Sequence, residues 1–379
     1  MLCWLCWLSL TVVSAQQRSR SHPRSRSHPR SRSHLHSHPH TSEVSVDKWY
    51  QRAPVEGGTR DVLDRNMPHA SLCSAGKCWP ATWILGGQKC GSTTVYRWLT
   101  LRSTYRICGS SYSMKHRRDT NRSYHSPKET HFWTDDRKED ELAPGDAALQ
   151  FTALYPASKL PRCPNGFVEA TPNNIASPSA ARLLHAALPP PFRSKLRFVV
   201  VLREPIAREL SAFNHQIRSK LSWCSNCVLT NSTHQSYESY LRCHLEAMAL
   251  KKCDETTFYE AQLRIWAAVF SRQQIVVFEF GWLMANQADA ARRIGAFLRF
   301  PELRDAVPFP HVIRAKDGQA QKTILCDVRD RLEAIYAPEN EKLYAYLTAT
   351  PGPAEEPPFP RFPRMPCVRA RAQQTGSYF

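Results

Sequence analysis

A lysine, three glycines and three hydroxyl residues stand close together in residues 86–94, which read GGQKCGSTT. An apolar run at 83–85 precedes them and a helical pattern follows, so the order is strand, glycine-rich turn and helix. Backbone N–H groups at a helix start lack intrahelical partners, and the helix dipole favours a bound anion there. The pattern predicts an anion site rather than a tight turn without ligand. Its members are Lys89, Cys90, Gly91, Ser92, Thr93 and Thr94, with Cys90 a free buried thiol.

The order of lysine and glycine separates this loop from the common nucleotide-binding loop. The Walker A pattern G-x-x-x-x-G-K-[ST] has its lysine after the last glycine. Lys89 instead stands two residues before Gly91. A kinase or NTPase would also need an acid that binds Mg²⁺ after a strand, and the sequence shows no such motif. The ligand is therefore anionic but is not expected to be ATP bound in the usual manner.

A second chemical group occurs in SPKETHFW at 126–133, where a carboxylate and an imidazole precede an aromatic pair that should be buried. An acceptor hydroxyl is a poor nucleophile until a base removes its proton. Glu129 is the preferred base, and His131 is the rival because imidazole titrates near neutral pH. The alternative is a surface ion pair between Glu129 and Lys128 or an arginine, with His131 packed in the core.

Alternating strands and helices must position these groups. The buried strand LRFVVVLRE at 196–204 ends at Arg203, and the helix after it carries Ser211. Because α/β sheets bind ligands at the carboxyl ends of their strands, Arg203 is a candidate anion ligand; an ion pair with Glu204 or another surface acid is the alternative. The pattern predicts an α/β domain in which helices cover both faces of a parallel sheet. Its strands are 82–86, 167–173, 196–204 and 274–280, and its helices are 92–102, 177–188, a helix after Pro205, 259–270, 286–299 and one or two helices in 327–347.

Charge predicts an anionic partner. The 379 residues carry a net charge of +18, and residues 1–40 contribute six arginines and no acid, which leaves +12 for the remainder. Residues 18–35 repeat RSRSHP, a composition too polar to bury a core, so we expect residues 16–78 to be a disordered Arg/Ser/His repeat and a stem. A polyanion or an anionic membrane surface would be attracted to such a chain.

The N-terminus and the cysteines predict a secretory route. Residues 1–15 form a short apolar run that suits a signal peptide cleaved after Ala15, with a short signal anchor, and thus membrane association, as the alternative. Thirteen cysteines and two N-glycosylation sequons, at Asn121 and Asn231, agree with this route. Residues 219–257 are a cysteine-rich insertion whose Cys224, Cys227, Cys243 and Cys253 suit two disulfides better than a zinc site. The Pro-rich residues 350–379 are expected to be a tail without a fold of its own.

Five motifs in order resemble the carbohydrate sulfotransferases that use 3′-phosphoadenosine 5′-phosphosulfate (PAPS), particularly the Golgi N-acetylgalactosamine 4-sulfate 6-O-sulfotransferase type. The resemblance covers residues 79–349, the expected sulfotransferase domain. The motifs are QKCGSTTVY, KETHFW, FVVVLREPIARELSAF, YEAQLRIWAAVFSRQQIVVF and IYAPENEKLY.

The resemblance implies a P-loop-like sulfotransferase fold, PAPS as co-substrate and no metal. It implies that Lys89 holds the bridging oxygen of PAPS, that Arg203 and Ser211 bind the 3′-phosphate, and that Glu129 is the base. Lys316 and Gly318 would form a loop closing on the same phosphate, or else a surface turn. Related heparan sulfate enzymes carry a lysine where FVEATPN has Ala170, so another cation would have to act there.

The predicted function is sulfuryl transfer in the Golgi lumen, or after secretion, to a polyanionic glycan such as chondroitin or dermatan sulfate, with no nucleic-acid partner. Two other classes stay open. One is a P-loop kinase or NTPase, which the position of Lys89 disfavours. The other is a secreted polyanion-binding protein without catalysis, which would not require the ordered motifs.

Overall fold

The computed structural model describes residues 72–74, 76–101, 107–111, 127–134, 143–219, 243, 258–300, 309 and 323–369. All of them belong to one compact unit, residues 44–379. Several predicted features lie outside the described residues: the signal segment 1–15, the Arg/Ser/His repeat, most of the insertion 219–257, and the residues Asn121, Asn231, Lys316 and Gly318.

The described strands form a hairpin and a parallel sheet. The hairpin pairs β1 (Leu72–Ser74) with β2 (Lys77–Trp79). The four-stranded sheet has the order β4-β3-β5-β6, and all its neighbours are parallel. Its members are β3 (Thr82–Gly86), β4 (Val168–Glu169), β5 (Arg197–Leu202) and β6 (Ile275–Glu279). The chain moves from β3 to β4 on one side and then to β5 on the other, so the carboxyl ends of β3 and β5 mark a topological switch point.

Helices connect and cover the strands. Four of them begin with proline, whose fixed φ and missing N–H suit the first helical position. Those four are α2 (Pro144–Thr152), α3 (Pro178–Ala187), α4 (Pro190–Arg193) and α5 (Pro205–Ser219). The others are α1 (Ser92–Leu101), α6 (Tyr259–Val269), α7 (Phe280–Ala285), α8 (Gln287–Phe297) and α9 (Cys326–Ala349). No helix in these described ranges is long and apolar enough to cross a membrane.

Both faces of the sheet are buried, which confirms the predicted three-layer α/β architecture. Along β5, Phe198 and Val200 pack into one apolar cluster, while Val199 and Val201 pack into another. The first cluster contains side chains of α2, α3, α6 and α9, and the second contains side chains of α1, α7 and α8. A parallel strand covered on both sides reads as a continuous apolar run, which is why periodicity located β5.

The helices differ from the predictions at α2 and at α7. The spacing of apolar residues did not predict α2, although its Phe151 is fully buried. Residues 286–299 were predicted as one helix, but α7 already begins at Phe280 and α8 follows it. Of the one or two helices predicted in 327–347, the structure forms one, α9, with Pro338 inside it.

The first described residues lie in the segment predicted to be stem. The Cys73–Cys78 disulfide joins β1 to β2, and Cys78 and Trp79 are buried. The Cys78 N–H donates to the Tyr155 carbonyl at 2.9 Å. The hairpin is thus part of the packed unit. Further disulfides join Cys108 to Cys163 and Cys326 to Cys367, and Cys243 of the insertion is also disulfide-bonded.

In its described residues, 351–369, the Pro-rich segment has no helix or long strand, but it does not behave as a free tail. We call residues 351–369 the C-terminal strap. Glu356 of the strap forms an ion pair with Arg272 at 2.5 Å and accepts from the Val277 N–H of β6 at 2.7 Å. Phe359 and Phe362 pack against the main core, and Cys367 bonds to Cys326 at the start of α9. Periodicity could not reveal this packing because individual side-chain contacts hold the strap.

We expect Glu356→Ala to lower the free energy of unfolding by about 3 kcal/mol, because it leaves a largely buried arginine without its carboxylate. The side chains of Arg272 and Glu356 are only 11% and 10% exposed. Guanidinium chloride denaturation measures the change. The control is Glu341→Ala, which breaks an exposed strap pair with Arg361 and should cost far less. Equal losses in the two variants would contradict the anchoring role of Glu356.

Candidate active site

The loop between β3 and α1 is held against the ends of two neighbouring strands. Gly86, the last residue of β3, has φ 127°, and a Cβ there would lie 2.1 Å from the Pro172 carbonyl oxygen. Only glycine allows so close an approach. The Gly87 N–H donates to the Val201 carbonyl of β5 at 2.7 Å. The backbone of the loop is therefore fixed between β5 and the residues that follow β4.

The start of α1 offers fewer anion donors than the sequence predicted. The helix begins directly after Gly91, whose φ is 102°. The Cys90 N–H donates to the Gly87 carbonyl at 3.1 Å, and the Thr94 N–H donates to the Gly91 carbonyl at 2.9 Å. In the described part of the chain, no backbone acceptor bonds to the N–H groups of residues 91–93. The predicted cradle is thereby reduced to these three N–H groups and the neighbouring hydroxyls.

Two arginines from the segment after β5 hold the carbonyl groups of the loop. Lys89 has φ 67°, in the left-handed region that residues with a Cβ rarely adopt. Its carbonyl accepts a hydrogen bond from Arg203 Nη1 at 3.4 Å. The preceding Gln88 carbonyl accepts one from Arg208 Nε at 3.2 Å. These two bonds support an uncommon backbone conformation at the lysine predicted to contact the anion.

Arg208 is a supporting residue to which the sequence assigned no role. It is 2% exposed and pairs with the equally buried Glu209 at 2.6 Å. Burial, the largest single influence, would lower the pKa of Arg208, but the charge and hydrogen bond of Glu209 together with smaller contributions from its other neighbours raise the pKa, so the guanidinium stays charged. The adjacent Arg-Glu pair in α5 was the available signal. Sequence alone could not show that this pair points inward.

Arg203 lies where the sequence predicted, directly after the carboxyl end of β5. Its guanidinium lies over the Phe280 ring, 5.1 Å from the centroid. The predicted alternative, an ion pair with Glu204, is not formed. Glu204 instead caps α5 by accepting from the N–H groups of Ile206 at 3.0 Å and Ala207 at 2.6 Å. Arg203 therefore has no described carboxylate partner, and its binding of a 3′-phosphate stays a prediction.

Ser211 lies in the second turn of α5. It stands six residues after Pro205, the first residue of α5, which corresponds to about 9 Å along a helix axis. It is half-buried, and no described hydrogen bond joins it to Arg203 or to the loop. Its predicted place in the 3′-phosphate site also stays a prediction.

Lys128, Glu129 and His131 form one cluster next to the start of α1. Lys128 Nζ donates to Ser92 Oγ at 3.4 Å and forms a short ion pair with Glu129. The other carboxylate oxygen of Glu129 lies 3.3 Å from His131 Nε2. The predicted Glu129–Lys128 pair therefore exists, but not as a surface pair, because its side chains are only 27% and 10% exposed. The aromatic pair Phe132 and Trp133 is buried, as predicted.

Glu129 is ionised in this cluster. Burial, the largest single influence, would raise its pKa, but the hydrogen bond from His131 and the charge of Lys128 together outweigh it. The resulting pKa is about 2, below the ordinary value of 4.5. A carboxylate with this pKa stays in the proton-accepting form throughout the physiological range.

A fully buried carboxylate at the end of β4 holds the cluster in place. Glu169 accepts from Thr130 Oγ1 at 3.1 Å, from Asn174 Nδ2 at 2.9 Å and from the Thr171 N–H at 3.0 Å. The Thr171 hydroxyl in turn accepts from the His131 N–H at 3.1 Å. Burial raises the pKa of Glu169 despite these bonds. The network links the residues after β4 to the residues that carry the candidate bases.

Lys128 is the second residue whose role the sequence did not reveal. The Ala170 N–H donates to the Lys128 carbonyl at 3.1 Å, so the two residues lie side by side. Ala170 is the position at which the sequence lacked an expected lysine. The Lys128 side chain brings an ammonium group from the adjacent segment to the start of α1. Its place beside Glu129 in the sequence suggested only an ion pair.

No family model matches the sequence, and no curated protein sequence matches it. Among the solved structures that are similar to this chain are two sulfotransferases. A sulfotransferase from Alicyclobacillus acidocaldarius shares 20% identity at a TM-score of 0.49, over 72% of this chain and 96% of that chain. The sulfotransferase domain from the curacin biosynthetic pathway shares 12% at a TM-score of 0.35, over 63% and 80%. At these values the likeness carries no information about activity, which has to be argued from the residues of this chain.

The described residues contain no group of three or more His, Cys, Asp or Glu side chains that could hold a metal ion. Cys90 is a buried free thiol, and Trp266 is a buried core residue whose indole N–H donates to the Asn174 carbonyl at 3.3 Å.

The pKa of Glu129 predicts a contribution to stability that depends on pH. Because the folded-state pKa of about 2 lies below the ordinary 4.5, the ionised carboxylate stabilises the fold above pH 4.5. This stabilisation is lost as the pH falls from 4.5 towards 2. Glu129→Gln should therefore lose less free energy of unfolding than the wild type between pH 6 and pH 3, measured by urea denaturation. Parallel losses in the two proteins would show that the bonds to Glu129 are not formed.

Proposed function

We propose that this protein transfers a sulfuryl group from PAPS to a hydroxyl of a carbohydrate, in particular a glycosaminoglycan such as chondroitin or dermatan sulfate. The observation that carries the proposal is the chain of contacts from Ser92 through Lys128 to Glu129 and His131. It joins an anion-binding helix start to a proton acceptor. Transfer of an anionic group to a hydroxyl needs both in one place.

The donor side would be held by α1 and two lysines. The N–H groups of residues 91–93 and the hydroxyls of residues 92–94 would bind the 5′-phosphate. Lys89 would hold the bridging oxygen between sulfur and phosphorus, where negative charge grows as the S–O bond breaks. Lys128 would supply a second positive charge on the same side. Arg203 and Ser211 are proposed to bind the 3′-phosphate.

The acceptor side would use Glu129 as general base. The acceptor oxygen forms a bond to sulfur as the bond from sulfur to the phosphate oxygen breaks, and Glu129 takes the acceptor's proton. A pKa of about 2 makes Glu129 a weak base in the ligand-free protein. A weak base suffices if transfer is loose and in line, because the hydroxyl becomes acidic only as its bond to sulfur forms. His131 would orient the carboxylate.

Charge and disulfides support the acceptor and the compartment that we propose. A net charge of +18 would attract a polyanionic glycan and hold it near the site. Three disulfides between described cysteines agree with an oxidising lumen such as that of the secretory pathway. We therefore propose action in the Golgi lumen or after secretion, with a glycan rather than a nucleic acid as partner.

Transfer of labelled sulfate tests the proposal directly. The full chain is incubated with PAPS and a panel of sulfated and desulfated glycosaminoglycans, and Lys89→Ala should reduce incorporation at least 100-fold by removing charge stabilisation. The control is Lys195→Ala, an exposed lysine at the opposite end of β5. A parallel assay with labelled ATP tests the kinase alternative. Glycan binding without incorporation, or an unaffected Lys89→Ala, would refute the sulfotransferase assignment.

A pair of variants distinguishes the two candidate bases. Glu129→Gln should lower kcat by about 10² or more, because a positioned general base contributes on that order. His131→Asn should lower kcat by about tenfold through loss of orientation alone. Both variants should bind adenosine 3′,5′-bisphosphate as the wild type does, measured by calorimetry. If His131→Asn is inactive and Glu129→Gln retains activity, His131 is the base.

A further inference from the structure

Tyr259, the first residue of α6, lies buried between three segments that are distant in sequence. Its side chain is 2% exposed. The phenol hydroxyl donates to the Arg203 carbonyl at 3.0 Å and lies 3.6 Å from Cys90 Sγ in the loop after β3. A single hydroxyl group therefore contacts both strand-end segments that form the candidate anion site.

The contact at Arg203 extends to the loop lysine. The Tyr259 hydroxyl fixes the main chain of Arg203, and the guanidinium of Arg203 bonds to the Lys89 carbonyl at 3.4 Å. On the other side of the loop, a Cβ on Gly87 would lie 3.7 Å from the tyrosine ring. Movement of Tyr259 would therefore displace the loop and the arginine together.

The C-terminal strap packs behind this tyrosine. The Phe362 ring lies 6.3 Å from the Tyr259 ring, centroid to centroid. Phe362 is itself held because its N–H donates to the Tyr344 hydroxyl of α9 at 2.8 Å. Phe359 contacts the rings of Phe362 and Tyr344, but it has no ring contact with Tyr259. Among the described residues, the ring contact between Phe362 and Tyr259 therefore connects the strap to the candidate anion site.

We propose that Tyr259 is the positioning residue of the anion-binding loop, and that the C-terminal strap holds it through Phe362. Tyr259 keeps the Lys89 loop and Arg203 in register without touching the ligand. The identity of the nucleotide that the loop binds rests on the proposed function, whereas the coupling between Tyr259 and the loop does not.

Alkylation of Cys90 measures loop opening without any substrate. Burial raises the pKa of this thiol, and the Tyr259 hydroxyl lowers it. Removing the hydroxyl from a closed loop would therefore leave a less acidic thiol, which reacts more slowly. Removing it from a loop that depends on Tyr259 would expose the thiol, which reacts faster. The direction of the rate change separates the two cases.

The experiment compares Tyr259→Phe with Tyr155→Phe in the full-length, disulfide-intact chain. Tyr155 is a suitable control because its buried hydroxyl makes no hydrogen bond to any residue that the structure describes. N-ethylmaleimide labelling is followed by peptide mass spectrometry of the Cys90 peptide. We expect Tyr259→Phe to raise the labelling rate at least fivefold and to weaken binding of adenosine 3′,5′-bisphosphate several-fold, with a melting temperature like that of the control. An unchanged or slower labelling rate overturns the proposal.

A second pair of variants tests the strap while the hydroxyl stays in place. Phe362→Leu should raise the Cys90 labelling rate in the same direction, and Phe359→Leu should leave it near the wild-type value. Equal rates in these two variants would remove the strap from the proposal. If the wild type does not bind the bisphosphate, the proposed function fails, and the labelling rates still decide the role of Tyr259.

Discussion

The backbone hydrogen bond from Gly87 to Val201 is the contact on which the candidate site depends. It extends the pairing of β3 and β5 past the end of β3 and turns the chain towards α1. The close approach of Gly86 to Pro172 brings in the residues after β4. Because neither glycine carries a side chain, the end of β3 can lie close both to the end of β5 and to the residues after β4. Every charged group of the site is attached to one of these ends or bonded to it.

Two carboxylates near these strand ends have different roles. Glu169 is surrounded by neutral hydroxyl, amide and N–H donors, and burial raises its pKa. Glu129 faces an ammonium and an imidazole, which hold its pKa at about 2 against the effect of burial. Glu169 holds the neighbouring backbone, whereas the Glu129 carboxylate is ionised and partly exposed. Their difference comes from the charge of their neighbours, since both are largely removed from water.

The sequence predicted those elements whose apolar residues recur at a regular spacing. Strands such as β5 and helices such as α6 show their burial in the spacing of apolar residues, so the three-layer sheet was foreseeable. The loop at Lys89 was found from its composition. Lys128 and Arg208 were not assigned a role, because whether a charged side chain points into a site depends on tertiary contacts. The roles of Glu129, Arg203 and Ser211 in catalysis or binding remain predictions.

The strap was missed for a related reason. Its prolines exclude regular structure, but they also limit the freedom of the unfolded segment, so that a few contacts are enough to order it. From its composition alone, such a segment is predicted to be a tail. Its ion pair, aromatic contacts and disulfide appear only when the chain is folded.

The position of Glu356 beside β6 also bears on the behaviour of the protein at high concentration. β6 is the outermost strand on its side of the sheet among the described residues, and an outer strand with open N–H groups can pair with another chain. Glu356 occupies one of these groups with a carboxylate, which cannot continue a ladder of strands. A chain shortened before residue 356 would present an apolar, unprotected strand to its neighbours. Such a chain would be expected to self-associate and to lose solubility.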